Sequence, residues 1–432
     1  MKPTDATLNT TILDSDWLRR LCLDSGADDV GFVEVERPSL ADERPHVERA
    51  FPRTRTLISI VLRMNRDNVR SPARSVANSE FHHTGDEVNH VIRKIVAQLE
   101  RKRIRVMSPP MAFPMEADRW MTERMWLVSH KPIAVAAGMG RMGIHRNVIH
   151  PRFGNFILLG TILLGAEVSE YSREIDYNPC LECKLCVAAC PVGAISTDGA
   201  FNAAACLTHN YHEFMGGFSS WIETIADSRN GKDYRKRVND SETVSMWQSL
   251  AYGPNYKAAY CLAVCPAGDD VIGPYLNSKK EFINEFLKPL QHKEENLYVI
   301  RGSDAETYAQ KRYPHKSLRY TSSAPRPRNI KSFLLGLQIS FQRQAAGDLK
   351  ATYHFTFTGR ETATATIEID NGTIKVKEGL QGEPDLKVTT DTATWLGFLA
   401  KEKNLLWALL TRRIKLRGNP KWLAAFGRCF PS

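Results

Sequence analysis

The sequence predicts a multidomain protein, α/β in its first part and α+β in its last, with a cysteine-rich segment between them. Three observations carry this. Short apolar runs of strand character alternate with helical periodicity up to about residue 170. Seven of the nine cysteines fall between residues 180 and 265. Beyond residue 331, alternating strands and a hairpin signal lead into apolar helices. A chain of 432 residues is too long for one hydrophobic core and suits two or three domains. The expected divisions are 1–170, 171–275, 276–330 and 331–432.

In order along the chain, Asp16 to Leu23 reads as a short helix capped by Asp16 or Ser15. Val30 to Val35 and Thr56 to Leu62 read as buried strands. Asp86 to Arg101 places Val88, Val91, Ile92, Ile95, Val96 and Leu99 on one helical face. Phe156 to Ala166 is a core strand or helix by its length. Residues 276–330 are basic and turn-rich around Ser322 to Arg328, which reads as linker plus helix. In the last part Tyr353, Phe355 and Phe357 alternate with polar residues, as do Ala363, Ala365, Ile367 and Ile369. Asp370-Asn371-Gly372 is a hairpin signal, because both central residues tolerate positive φ. Helices carrying Trp395, Leu396, Phe398, Leu399, Leu405, Leu406, Leu409 and Leu410 follow.

Apolar residues make up 43% and charged residues 25%, which excludes disordered, collagen-like and fibrous classes. No apolar run reaches the length of a membrane span, and the first residues lack the apolar core of a signal peptide. The expected location is cytoplasmic, with no transmembrane segment. The 58 basic and 48 acidic side chains leave a formal +10, spread over a large surface. Charge this diffuse argues against nucleic acid as a partner. Nine cysteines in a cytoplasmic chain point to metal or redox use and away from disulfides.

Cys180, Cys183, Cys186 and Cys190, followed by Pro191, have the C-x2-C-x2-C-x3-C-P spacing of bacterial ferredoxins. Three thiolates on one tight loop can wrap three irons of a cubane, and the fourth, one helical turn on, points to a second cluster. A zinc site needs only pairs of ligands and has no use for the four-cysteine run. By this crossover, Cys180, Cys183, Cys186 and Cys265 hold a 4Fe-4S cluster. Cys190, Cys206 and Cys261 are left for the other, which is 3Fe-4S, or 4Fe-4S with a non-cysteine ligand. Ala258 stands where a further cysteine would complete the set, and His209, His212 and Tyr256 are nearby candidates. Cys22 and Cys429 read as small core residues.

With these cysteines, residues 16–275 resemble the cobalamin-dependent iron–sulfur reductases, the epoxyqueuosine reductases and reductive dehalogenases. Ala136-Ala137-Gly138-Met139-Gly140-Arg141-Met142-Gly143-Ile144-His145-Arg146-Asn147 is similar to that family's glycine-rich segment. Ile149 to Asn155 and Leu158-Leu159-Gly160 are similar to its continuation. The resemblance implies a nitroreductase-like α/β domain holding a corrinoid, with a ferredoxin-like two-cluster domain feeding electrons to cobalt. It implies cofactor contacts at Gly138, Gly140, Gly143, His145, Asn147 and Gly154. Gly138, Gly140 and Gly143 also fit a dinucleotide fingerprint, though no acidic ribose partner follows on a clear second strand. Flavin is the alternative cofactor. No D-x-H-x-x-G occurs, which fits cobalt with an open axial face and equally fits a chain without cobalamin. The family's proton-donating aspartate falls at Arg124 or, by a shift of one, at Glu123. His130 and Lys131 are further acid candidates.

Residues 346–431 resemble the sterol-carrier-protein-2 domain through Tyr353 to Gly359, Ile367 to Val376, Asp385 to Val388 and Ile414 to Asn419. That implies an SCP2-like α/β domain binding lipids or acyl chains, lined by Trp395, Phe398, Leu399, Leu406, Leu409 and Leu410. The joint expectation is an iron–sulfur and cobalamin-dependent reductase of the dehalogenating or deoxygenating type. Its substrate would be hydrophobic or lipid-like, and its external electron donor of ferredoxin or flavodoxin type. One alternative is an epoxyqueuosine reductase acting on tRNA, whose usual helical-repeat tail this sequence lacks. Another is a non-catalytic electron carrier fused to a lipid carrier.

Overall fold

The computed structural model describes residues 12–116, 125–180, 182–321, 327–400 and 402–431. They form two compact units, each assembled from separated stretches of chain. The first takes described residues of Met1–Glu116, Trp126–Ala189 and Ala259–Leu290. The second takes those of Ala117–Met125, Cys190–Ala258 and Gln291–Ser432.

The first unit is built on an antiparallel sheet of β1 (Asp29–Glu34), β2 (Thr56–Arg63), β3 (Val106–Met107) and β4 (Ile157–Leu164), in the order β1-β2-β4-β3. Helices α1 (Ser15–Asp24), α2 (Arg66–Arg70), α3 (Arg74–Arg101) and α4 (His130–Ala136) belong to the same unit. Seven of the eight β2 residues are buried because both faces of the sheet are covered. Ile58, Ile60 and Leu62 share a core with Val88, Val91, Ile92 and Ile95 of α3. Leu57 and Val61 share the other with Ile133 and Ala134 of α4. Two-sided burial is why this strand reads as a continuous apolar run.

Three expectations change here. The α1 cap is Asp14, not Ser15 or Asp16: its carboxylate accepts the Trp17 N–H at 2.6 Å. The helix expected from Asp86 begins at Arg74. Its first three turns carry buried Ala77, Asn78, Phe81 and Thr84, a mixture that hides the apolar stripe. The stretch read as linker is largely folded. Asn296–Val299 and Ser317–Tyr320 pair in parallel, with the helix Asp304–Arg312 between them. Residues 322–326 of the turn-rich segment lie outside the described residues.

In the second unit, α5 (Ala203–His209) is followed by helices Gly217–Ala226, Gly231–Arg237 and Asp240–Tyr252. The buried Glu213 carboxylate ties this segment together. It pairs with Lys257 and accepts from Ser245 Oγ at 2.7 Å and the Asn255 N–H at 2.7 Å. The last part is a five-stranded sheet of β5 (Lys350–Thr358), β6 (Ala363–Asp370), β7 (Thr373–Glu378), β8 (Leu386–Asp391) and β9 (Ile414–Gly418). Its order is β7-β6-β5-β8-β9. The expected hairpin joins β6 to β7, with Asn371 and Gly372 at φ 47° and 71°. Tyr353, Phe355, Phe357, Ile367, Val388 and Trp395 form its core. Among the described residues, no helix is long and apolar enough to cross a membrane.

Candidate iron–sulfur site

Glu182 and Lys184 both take left-handed backbone at φ 52°, unusual for residues with a Cβ. The turn then enters the helix Leu185–Ala189, which carries Cys186. In the same unit, the helix Tyr260–Ala263 carries Cys261, and Cys265 follows two residues beyond its end. Cys186 feels the charges of Cys261, Cys265, Cys183 and Cys180, and Cys265 those of Cys183, Cys180 and Cys261. The first expected ligand set is therefore gathered in one unit. Burial, ahead of that mutual repulsion, pushes the Cys265 thiol up to about 12. A metal that binds thiolate offsets both effects. All nine cysteines are free thiols. Among the described residues, no three His, Cys, Asp or Glu side chains close tightly enough to hold a single ion. The fit to a cluster thus rests on donor chemistry and loop shape.

The glycine-rich segment is built onto these cysteine loops. Arg141–Met142 and Val148–Ile149 form a small hairpin, and the Ile144 N–H of its loop donates to Cys180 Sγ at 3.4 Å. A Cβ on Gly138 would meet the Arg173 carbonyl oxygen at 2.4 Å, and one on Gly140 the Ile149 oxygen at 2.3 Å. One on Gly143 would meet the ring of His145 at 2.7 Å. These approaches are to the protein's own atoms, so the three glycines seat the hairpin. Gly154 (φ 65°) lies against Ala267, two residues beyond Cys265, and Gly268 (φ 110°) lies against Gly154 in turn. The Asp269 and Asp270 N–H groups donate to the Pro151 and Arg152 oxygens at 2.8 and 3.0 Å.

His145 is buried inside the hairpin loop. Its Nδ1 accepts the Asn147 N–H at 3.1 Å, and its Nε2 lies 3.2 Å from the Asn155 amide. Burial, then the nearby Lys131 charge, holds its pKa down to about 4, so the ring is neutral. Lys131 Nζ donates to the Arg146 oxygen at 2.7 Å and to Asn147 Oδ1 at 3.0 Å, on the same loop. His130 sits at the start of α4 with Nδ1 2.8 Å from Thr161 Oγ1 and Nε2 3.2 Å from the Pro110 oxygen. A carbonyl can only accept, so Nε2 carries the proton. Glu123, with Asp118 and Arg124, lies outside the described residues.

Cys190 and Cys206 belong to the second unit. The Ala194 N–H donates to Cys190 Sγ at 3.2 Å. The Ala194 oxygen accepts from Asn202, the cap of the Cys206 helix, at 2.8 Å. Ala258 is tied to the other end of that helix, its N–H donating to Oδ1 of the C-cap Asn210 at 3.1 Å. Of the candidates for a fourth ligand, His209 is fully buried and its Nδ1 accepts the Tyr298 N–H at 3.3 Å. That bond places the proton on Nε2, which has no hydrogen-bond partner among the described residues, and a protonated nitrogen cannot ligate. His212 stacks on Tyr298 at 3.7 Å. Tyr256 packs against Phe214 at 4.5 Å, and burial pushes its phenol up to about 12. Cys22 and Cys429 are buried in their respective cores.

Two features escaped sequence reasoning. His150 Nε2 donates to Asp29 Oδ2 at 2.9 Å, while its Nδ1 accepts from the Arg152 and Phe153 N–H groups at 3.1 and 3.2 Å. Burial alone would raise Asp29, but the hydrogen bonds from His150 and Val30 hold its carboxyl below the ordinary range. The second is Arg70, a buried arginine on α2. His150 lies within the Ile149–Asn155 segment but was given no role there, and no motif surrounds Arg70. In the lipid-carrier-like part, Trp395 is core, but Leu406 and Leu410 are 69% and 78% exposed. Neither lines an interior. The helix Leu405–Leu410 is apolar all round and meets the domain through Ala408, so hydropathy could not tell its faces apart.

A model of the 4Fe-4S binding domain matches residues 173–196, and one of the SCP-2 sterol transfer family matches residues 337–430. Among curated proteins, the epoxyqueuosine reductase of Gloeobacter violaceus is 25% identical over 189 residues, 44% of this chain and 55% of that protein. That of Lactococcus garvieae is 25% identical over 161 residues, 37% of this chain and 38% of its own length. That of Prochlorococcus marinus is 38% identical over 80 residues, 18% and 25% of the two chains. The chain thus spans about half of these relatives or less. Among solved structures, epoxyqueuosine reductase from Streptococcus thermophilus has a TM-score of 0.37 at 15% identity, covering 63% of this chain and 74% of its own. The reductive dehalogenase NpRdhA has a TM-score of 0.41 at 16% identity, covering 66% and 36%. An epoxyqueuosine reductase solved with an epoxyqueuosine-modified tRNA-Tyr stem loop has 0.36 at 16% identity, covering 69% and 82%. The expectation that diffuse charge sets nucleic acid aside as a partner is corrected by the curated relatives, which are epoxyqueuosine reductases. Net charge averages over the whole surface and is blind to a local nucleic-acid site. The chain joins a 4Fe-4S binding domain and an SCP-2 domain to sequence similar to epoxyqueuosine reductases.

Proposed function

We propose that this protein is an iron–sulfur and cobalamin-dependent reductase of the epoxyqueuosine-reductase type, with a modified tRNA as substrate. The carrying observation is the gathering of Cys180, Cys183, Cys186 and Cys265 in one unit, with the glycine-rich hairpin donating to Cys180. Those four thiolates would hold a 4Fe-4S cluster. Cys190 and Cys206 of the second unit would contribute to the second cluster. Cobalamin, when bound, supplies a cobalt centre for two-electron reduction. The glycines read from sequence as its contacts support the hairpin instead, so the cobalamin reading rests on the family likeness. Removing an epoxide oxygen as water takes two electrons and two protons. Glu123, His130 and Lys131 are the proposed acids, and Lys131 carries its charge at the hairpin loop.

The test is anaerobic purification with added cobalamin, followed by iron and cobalt determination and turnover of an epoxyqueuosine-modified tRNA stem loop under a low-potential reductant. Conversion that fails in Cys265→Ser is expected. An iron- and cobalt-loaded protein that neither binds nor converts the stem loop would overturn the substrate reading. The SCP-2 match favours a second reading, in which the tail binds an apolar ligand or presents a lipid-like substrate. Displacement of a fluorescent acyl probe tests it, and no saturable binding would exclude it.

A further inference from the structure

We infer that Arg70 is the built-in counter-charge of the first cluster and sets its reduction potential. The inference rests on the reading that Cys180, Cys183, Cys186 and Cys265 hold that cluster.

Arg70 ends α2 and is 8% exposed. Its guanidinium carbon lies 4.2, 5.0 and 5.3 Å from the ring centres of Phe286, Phe156 and Phe282. Its Nε donates to the Ala263 oxygen at 3.3 Å, two residues before Cys265, and its charge acts on Cys265. Among the described residues it makes no ion pair, and its buried Nη2 has no hydrogen-bond partner. Burying a cation without a direct ion pair is costly, and three aromatic faces with the charges of Asp67 and Glu285 recover only part of that.

A cluster bound by four thiolates is anionic and becomes more so on reduction. Placed at the Cys265 loop, it adds a counter-charge on the side of Arg70 that faces the Ala263 oxygen. Arg70 would then favour the reduced state, because net charge around a cluster sets its potential. The residue also borders a cavity of about 530 Å³ with Asp67, Glu285 and Arg66. Asp67 and Glu285 attract it and Arg66 repels it, so its field can be altered without touching Arg70 itself.

The experiment is an EPR-monitored redox titration of the full-length, iron-loaded protein and three variants. Arg70→Met is expected to lower one cluster's midpoint by at least tenfold in the reduction equilibrium, or 59 mV for one electron. Arg70→Lys, which keeps the charge, should stay near the wild type. Glu285→Gln should move the same midpoint upward. An unchanged midpoint in iron-loaded Arg70→Met, or an equal shift in Arg70→Lys, overturns the inference. If Arg70→Met loses its iron, the sign of the Glu285→Gln shift decides: upward supports, no shift overturns. A wild-type protein that binds no iron defeats the cluster reading itself, and the inference with it.

Discussion

Gly154 and Gly268 show how the absence of one atom lets two backbone segments meet. A Cβ on Gly154 would sit 2.1 Å from the Ala267 oxygen, and one on Gly268 would sit 2.4 Å from the Gly154 nitrogen. Both have positive φ, so alanine adds backbone strain to a backbone collision. Gly154→Ala is expected to destabilise the protein by at least about 2 kcal/mol and to lower its iron content, as a thermal melt with iron assay would read. The sequence marked Gly154, but for contact with a cofactor. Only the fold brings Ala267 against it. Ala258 is a second residue-scale test. It is buried and tied to Asn210, four residues beyond Cys206. If position 258 is the absent ligand, Ala258→Cys should raise iron by about one atom per chain relative to wild type. Iron that stays constant would place the fourth site elsewhere.

Elements differ in how much of themselves they reveal. Strand β2 and the Asn371-Gly372 hairpin were legible because local pattern and fold agree there. The helix Leu405–Leu410 was not, since an apolar residue occupies every position and periodicity has nothing to report. Burial makes opposite predictions for its members and for Trp395. Trp395→Ala, 2% exposed and packed on Phe333 and Phe355, should cost about 3–5 kcal/mol. Leu406→Ser and Leu410→Ser should each lie within about 0.5 kcal/mol of wild type. Denaturant melts of the three variants would check this, and equal losses would contradict the burial pattern.

At the scale of the whole molecule, buried histidines make stability depend on pH. Burial, as the largest cause in each, holds His145 and His212 down to about 4 and His209 to about 3, against an ordinary 6.5. Between those values and 6.5 the unfolded chain binds protons that the folded chain does not. Stability is therefore fully present above pH 6.5 and falls as the medium is acidified through that window. The loss approaches on the order of 3 kcal/mol for His145 and His212, and about 5 kcal/mol for His209, at the lower limit. Thermal midpoints should drop between pH 7 and 5, and a flat profile would contradict neutral burial. No motif predicts these shifts, because sequence neighbours do not report depth.

Legible along the chain were the iron–sulfur spacing of the cysteine run, the alternation of layers and the succession of the 4Fe-4S and SCP-2 matches. Each of these depends on spacing along the chain: thiolate spacing, apolar period and turn residues. The fold alone shows that the glycines approach the protein's own atoms, that His209 carries its proton on Nε2 and that Arg70 lies buried against the Ala263 oxygen. Those facts depend on which distant atoms meet and how far water is kept away, and no local pattern encodes either.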